Sequence, residues 1–207
     1  MLLNKSEFLL MNNPLRAAIQ ERHEIPIFLK MAAPRTYASA LEIGCGNGHG
    51  AKLIKKHFGP EKITGIDLDE RMIALARKHH QTDSVTFQMM NATNMAFPDK
   101  SFDVIFDFGI IHHIPNWRDC IDELKRVLKD DGEMFIEELA IESFSGFPGG
   151  IWRKILAHPY DDMFTFAAFE DYLAERDLVI VDKKVTNPLG LLKYVSWRIK
   201  PGDAGGV

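Results

Sequence analysis

Between Ser39 and Leu139, short apolar runs alternate with longer stretches whose apolar residues recur at helical spacing. The runs at Leu41-Glu42-Ile43 and at residues 62–67, 85–90, 102–106 and 133–139 predict five strands. Residues 50–58 predict a helix, and further helices begin near Glu70 and near Asn116. The last of these carries Cys120, Ile121, Leu124, Val127 and Leu128 on one stripe and should end at Asp131-Gly132. Strands that alternate with helices in this way, joined by right-handed crossovers, form a parallel sheet covered on both faces.

The flanks are less regular. Residues 1–35 place Leu10, Leu15, Ile19, Ile27, Leu29 and Met31 at helical spacing, interrupted by Pro14 and Pro26, which predicts two short helices. They could cover a bound ligand as a lid or simply lie on the sheet. Residues 140–166 hold Phe144, Phe147, Gly149, Gly150, Trp152, His158, Tyr160 and Phe164, an aromatic, glycine-broken insertion on the expected substrate side of the sheet. A helix over residues 151–157 that packs on its own is the alternative. A helix over residues 167–176 follows, then strands over 178–186 and 192–200 joined across Asn187-Pro188-Leu189-Gly190, and a disordered tail at 201–207.

The chemistry concentrates where the strands should end. Leu41-Glu42-Ile43-Gly44-Cys45-Gly46-Asn47-Gly48-His49-Gly50 sets four alternate glycines behind the first strand. Bare backbone there lets a ligand approach the amides of a following helix N-terminus. Gly46, Gly48 and Ala51 also fit a looser dinucleotide pattern, so the turn alone does not decide the ligand. Asp67 ends the second strand nineteen residues past Gly48, placed to take both hydroxyls of a ribose. Asn91 and Ala92 follow the third strand, where one amide side chain and one backbone N–H could read an adenine edge. Asp107-Phe108-Gly109 follows the fourth.

With those motifs in register, and with Asn91-Ala-Thr-Asn-Met-Ala-Phe-Pro-Asp-Lys-Ser-Phe-Asp103, His112-His113 and Glu123-Leu-Lys-Arg-Val-Leu-Lys-Asp-Asp-Gly-Glu133 beside them, the chain resembles a class I S-adenosylmethionine-dependent methyltransferase of the small-molecule type. The resemblance implies a Rossmann-like, doubly wound, seven-stranded, mostly parallel sheet with an antiparallel C-terminal edge strand and helices on both faces, one domain over residues 1–200. It also implies that Gly44, Gly46 and Gly48 cradle the methionine part of S-adenosyl-L-methionine, with Glu42 ordering the loop. Cys45 lies in the same cofactor-binding turn as a packing residue. Asp67 would hold the ribose, Leu68 would lie against the adenine, and Asn91 with Ala92 would read its edge, although the family more often has Asp at position 91. Asp69 would cap the next helix. Asp107 and Phe108 would contact the methionine amino group or the transferring methyl, the Phe108 face stabilising a sulfonium.

A methyl on positive sulfur needs an in-line nucleophile and dryness more than a base, and a hydroxyl acceptor alone would call on His112 or His113, of which at most one should face the ligand. The product would be S-adenosyl-L-homocysteine and the acceptor a small apolar or aromatic molecule. No metal site is expected from the histidine pair. A non-catalytic S-adenosylmethionine sensor or assembly subunit is the competing reading. A nicotinamide-dependent oxidoreductase would leave Asn91-Ala92 and the Asp107 to His113 pattern unexplained.

Composition narrows the partners. The chain has 207 residues and a net charge of −4 with interspersed signs, which disfavours a nucleic-acid partner. Two cysteines, Cys45 and Cys120, fit a reducing compartment. With no signal peptide or bilayer-spanning run, the expectation is a cytoplasmic protein, monomer or homodimer. A membrane-surface role for Leu2, Leu3, Phe8, Leu9 and Leu10 is opposed by Glu7 and the scarcity of lysines.

Overall fold

The computed structural model describes residues 12–145, 159–187 and 192–202. Seven strands, β1 (Ser39–Ile43), β2 (Lys62–Asp67), β3 (Val85–Met89), β4 (Phe102–Phe108), β5 (Leu128–Glu138), β6 (Leu178–Thr186) and β7 (Tyr194–Pro201), form one sheet. Its order is β3-β2-β1-β4-β5-β7-β6. The first five strands run parallel, and β7 enters antiparallel between β5 and β6. Chain progress outward from β1 to β3 and then back across to β4 and β5 leaves a switch point between β1 and β4, the place where open sheets of this kind bind ligands.

Burial on both faces explains the unbroken apolar runs. Ala40, Val104, Phe106 and Phe135 point into one core with Ile27, Phe28, Ala51, Ile54 and Ile73, from helices α2 (Ile25–Met31), α3 (His49–Phe58) and α4 (Glu70–His80). Their sequence neighbours Leu41, Ile105, Met134 and Ile136 point into the other with Trp117, Ile121, Leu124 and Phe169, from α5 (Trp117–Val127) and α6 (Phe166–Glu175). Alternation along each strand sends successive side chains to opposite cores, so apolar residues stand at neighbouring positions instead of every second one.

Three boundaries differ from the sequence expectation. Helix α5 stops at Val127, and β5 begins at once with Leu128 paired to Phe102. Lys129-Asp130-Asp131-Gly132 is a bulge inside β5 rather than the end of the helix, because Val104 pairs next with Glu133. The leader is α1 (Pro14–Ile19), a π turn (Gln20–Glu24) and α2 without a break. Pro26 lacks the N–H that an α-turn would need, and the Ile25 N–H reaches back five residues to the Gln20 carbonyl instead. The last strand starts at Tyr194, two residues later than expected. The expected helix over 151–157, Phe147, Gly149, Gly150, Trp152 and His158, the 188–190 part of the hairpin connection and the tail beyond residue 202 lie outside the described residues.

Candidate active site

A cavity of about 260 Å³ opens at the carboxyl ends of β1, β2 and β4, at the switch point. Its floor is the glycine turn. Gly46 has φ +52°, and no atom lies within 4 Å of where a Cβ would stand, so that side of the turn is open to the cavity. Gly48 has φ +85° and starts α3, but a Cβ there would lie 2.8 Å from Phe87 Cζ and 3.0 Å from Ala76 Cβ. Gly44, Cys45 and Gly46 line the cavity, whereas Gly48 faces β3 and α4. Glu42 lies buried beneath, against Gly50 and accepting the Ala51 backbone N–H, and burial pushes its carboxyl well above the usual range.

One wall descends from β2 and β3. The Asp67 carboxylate accepts the Gly46 N–H at 2.9 Å and the Asp69 N–H at 2.8 Å, fixing it at the rim. Burial raises its pKa, and those same N–H groups oppose the rise. Asp69 caps α4 through the Arg71 N–H at 2.9 Å. The Met90 N–H donates to the Asp67 carbonyl at 3.0 Å, which brings Asn91 and Ala92 to the same rim. Asn91 Oδ1 accepts the Thr93 N–H at 3.0 Å, so the side chain closes a turn while lining the cavity. Leu68, 44% exposed, and Met72 supply apolar surface beside it.

The opposite wall is the segment after β4. Phe108, Ile110, His113, Ile114 and Pro115 line the cavity, but Asp107 and His112 do not. Asp107 is fully buried, and its Oδ1 accepts the Ile110 N–H at 3.0 Å. Glu138, at the end of β5, is fully buried too and accepts the N–H groups of Ile111 and His112 through Oε1, the latter at 3.3 Å. Its Oε2 meets His112 Nδ1 at 2.5 Å and the Leu139 N–H at 3.2 Å. The His113 and Ile114 N–H groups close a 3₁₀ turn onto the carbonyls of Ile110 and Ile111. Every N–H from Ile110 to Ile114 therefore has an acceptor.

Burial drives the imidazole of His112 down to about 3 and the carboxyl of Glu138 up to about 8, so the pair carries its proton without net charge near neutrality. Asp107, buried and beside Glu138, is held well above the carboxylate range. The rings of His112 and His113 lie with centroids 4.2 Å apart rather than turned away from each other, yet His113 alone of the two reaches the cavity.

The leader roofs the cavity. Arg16 and Gln20 line it, and Arg16 spans from Glu24 Oε1 at 2.6 Å to the Phe108 carbonyl at 3.0 Å. Nothing in the local pattern marks Arg16, whose contact with Phe108 is made ninety-two residues away. Ile110 and Ile114 could have been suspected from their place after the fourth strand. None of the described residues of the 140–166 insertion lines the cavity.

A doubly wound sheet with a glycine turn after its first strand, an acid ending its second and a cavity at the switch point is the layout of a Rossmann-like fold that binds its ligand at the carboxyl ends of the strands. Residues 41–136 match the family model described as a methyltransferase domain. The fold is shared with an S-adenosylmethionine-dependent methyltransferase from Aquifex aeolicus, at a TM-score of 0.71 and 18% identity over 96% of this chain and 99% of that one. Over 92 residues the chain is 36% identical to the phthiotriol/phenolphthiotriol dimycocerosates methyltransferase of Mycobacterium tuberculosis, covering 44% of this chain and 34% of the relative. Over 113 residues it is 32% identical to the fatty-acid O-methyltransferase of Mycolicibacterium smegmatis, covering 54% of this chain and 41% of that protein. The matched stretch thus spans less than half the length of these curated relatives.

Proposed function

We propose that the protein transfers a methyl group from S-adenosylmethionine to a small apolar acceptor, and that the cavity holds both. The residues suit the cofactor: Asp67 presents a carboxylate to a ribose diol, and the Gly46 side of the turn is bare backbone that a Cβ would fill. Asp67, pinned by two amides at the rim of the cavity, is the observation that carries this reading. Leu68, Met72 and Ala92 form the apolar slot for the adenine, and Asn91 offers its amide N–H₂ and the lone pair of its oxygen that the Thr93 N–H does not use. Glu42, Asp107 and Gly48 serve the site indirectly, by fixing the turns that line it.

Bound there, the cofactor supplies an electrophilic methyl on positive sulfur. The protein's task is to align the acceptor and exclude water. Phe108 offers a ring face to the cation, with Ile110, Ile114 and Pro115 as the acceptor's apolar wall. The leader serves as a lid, anchored in the core by Ile27, Phe28 and Met31 and reaching over the cavity with Arg16 and Gln20.

An acyl-chain or lipid-alcohol acceptor is favoured by these walls and by the names of the two curated relatives. A carboxylate acceptor needs no base; a hydroxyl one would give its proton to His113, which faces the cavity. Calorimetry with S-adenosylhomocysteine tests the cofactor site. Asp67→Ala should weaken binding by about a hundredfold or more, about 2.7 kcal/mol, with the fold intact, and undiminished affinity refutes the ribose assignment. Incubation with isotopically labelled S-adenosylmethionine and palmitate or long-chain alcohols then tests transfer, and His113→Gln should slow an alcohol acceptor only.

A further inference from the structure

We infer that Glu138 is a positioning residue of the acceptor site: its buried carboxyl, locked by His112, holds the 110–114 turn so that His113 and Ile114 face the cavity. This rests on the methyltransferase reading of that cavity. The chain leaves β4 through Gly109 at φ +84° and enters a turn too short to satisfy its own leading N–H groups. At 0% exposure Glu138 is an expensive residue to bury unless its oxygens are used. They are: one takes the N–H groups of both Ile111 and His112, and the other takes His112 Nδ1 and its own neighbour, the Leu139 N–H. The two N–H groups and the Nδ1 contact all come from the turn, and the Leu139 N–H from β5's own end. An apolar side chain of similar size would fill the space and leave the main-chain N–H groups of Ile111, His112 and Leu139 without this acceptor.

His112 locks the arrangement. Its Nδ1 fixes the rotation of the carboxyl, and its ring lies against that of His113, whose place at the cavity follows from it. The adjacent carboxyl of Asp107 takes the Ile110 N–H, so two neighbouring strand ends share the work of shaping one wall. His112 thereby has a role that needs no contact with a ligand.

Amide hydrogen exchange on the full chain, with and without S-adenosylhomocysteine, tests this. In Glu138→Leu, the Ile111 and His112 amides should exchange at least about tenfold faster than in the unaltered protein, while Ile43 and Ile105 in the sheet keep their protection. Affinity for S-adenosylhomocysteine should stay within about threefold, because Asp67 and the glycine turn are untouched. His112→Asn puts an amide nitrogen where Nδ1 stands and should retain the protection of the Ile111 amide; His112→Phe should lose it. Unchanged exchange in Glu138→Leu, a uniform loss across the sheet, or equal behaviour of the two His112 variants would each overturn the proposal. If Glu138→Leu fails to fold, the contrast between the two His112 variants decides alone. An unaltered chain without affinity for S-adenosylhomocysteine would sink the methyltransferase reading instead, a result separate from any exchange pattern.

Discussion

Four carboxyl groups, Glu42, Asp107, Glu137 and Glu138, are buried where β1, β4 and β5 end, and burial raises the pKa of each. The Arg16 guanidinium offsets part of that at Glu42 and Glu137. Glu137 and Glu138 both move from 4.5 to about 8, so across that window the folded state keeps protons that the unfolded chain has released. Stability from these groups is therefore present at low pH and lost as pH climbs toward 8, by about 1.4 kcal/mol per pH unit for each fully deprotonating carboxyl. His112 acts in the opposite sense below 6.5, since its folded pKa falls to about 3. Urea unfolding should thus give a midpoint that drops between about pH 6.5 and about pH 8, and a flat or rising midpoint would show these carboxyls ionised in the fold. At this scale the sequence revealed Asp67 and Asp69, whose partners lie within a few residues or on the adjoining strand end. It did not reveal Glu138 as a member of the site, because its partners Ile111 and His112 come from a neighbouring strand's turn.

The glycine turn separates two jobs that its regular spacing makes look alike. Gly46 and Gly48 both have positive φ, but one faces open cavity and the other is pressed against Phe87 and Ala76. Gly46→Ala should cost about 1 kcal/mol of backbone strain and weaken S-adenosylhomocysteine binding far more than it lowers the melting temperature. Gly48→Ala adds a clash to the same strain and should destabilise by about 2–3 kcal/mol, shifting the melt more than the affinity of whatever protein remains folded. Thermal melts beside calorimetry would check the pair, and indistinguishable variants would remove the division. Element identity was largely legible, since strands β1 to β4 and α3 begin and end within two residues of the apolar pattern. Where it failed, at β5 and in the leader, pairing decided: Leu128 is claimed by Phe102, and the π turn at Gln20–Glu24 accommodates Pro26 within a continuous helical path.

Across the whole molecule the leader links distant parts. Arg16 ties it to the Phe108 carbonyl and to the buried Glu24, while Arg198 on β7 donates to the Met31 carbonyl at 3.0 Å. Arg16→Met would strand the Glu24 carboxyl and free the outer turn while leaving Ile27, Phe28 and Met31 anchored. Limited proteolysis should then cut near residues 12–20 faster than in the unaltered chain, and S-adenosylhomocysteine should protect less well. Equal cleavage rates with and without ligand in both proteins would argue that the leader is a fixed layer.

Local rules acting on the chain alone determined the alternating elements, the glycine turn, the acid at the end of β2 and the resemblance that follows from them, because periodicity and turn chemistry are set by neighbours within a few residues. Only the tertiary structure decided which of His112 and His113 faces the cavity, that Arg16 roofs it, that Glu138 shapes its wall and that Gly48 serves packing. Those outcomes depend on where separate strand ends converge, and on the cost of burying charge there.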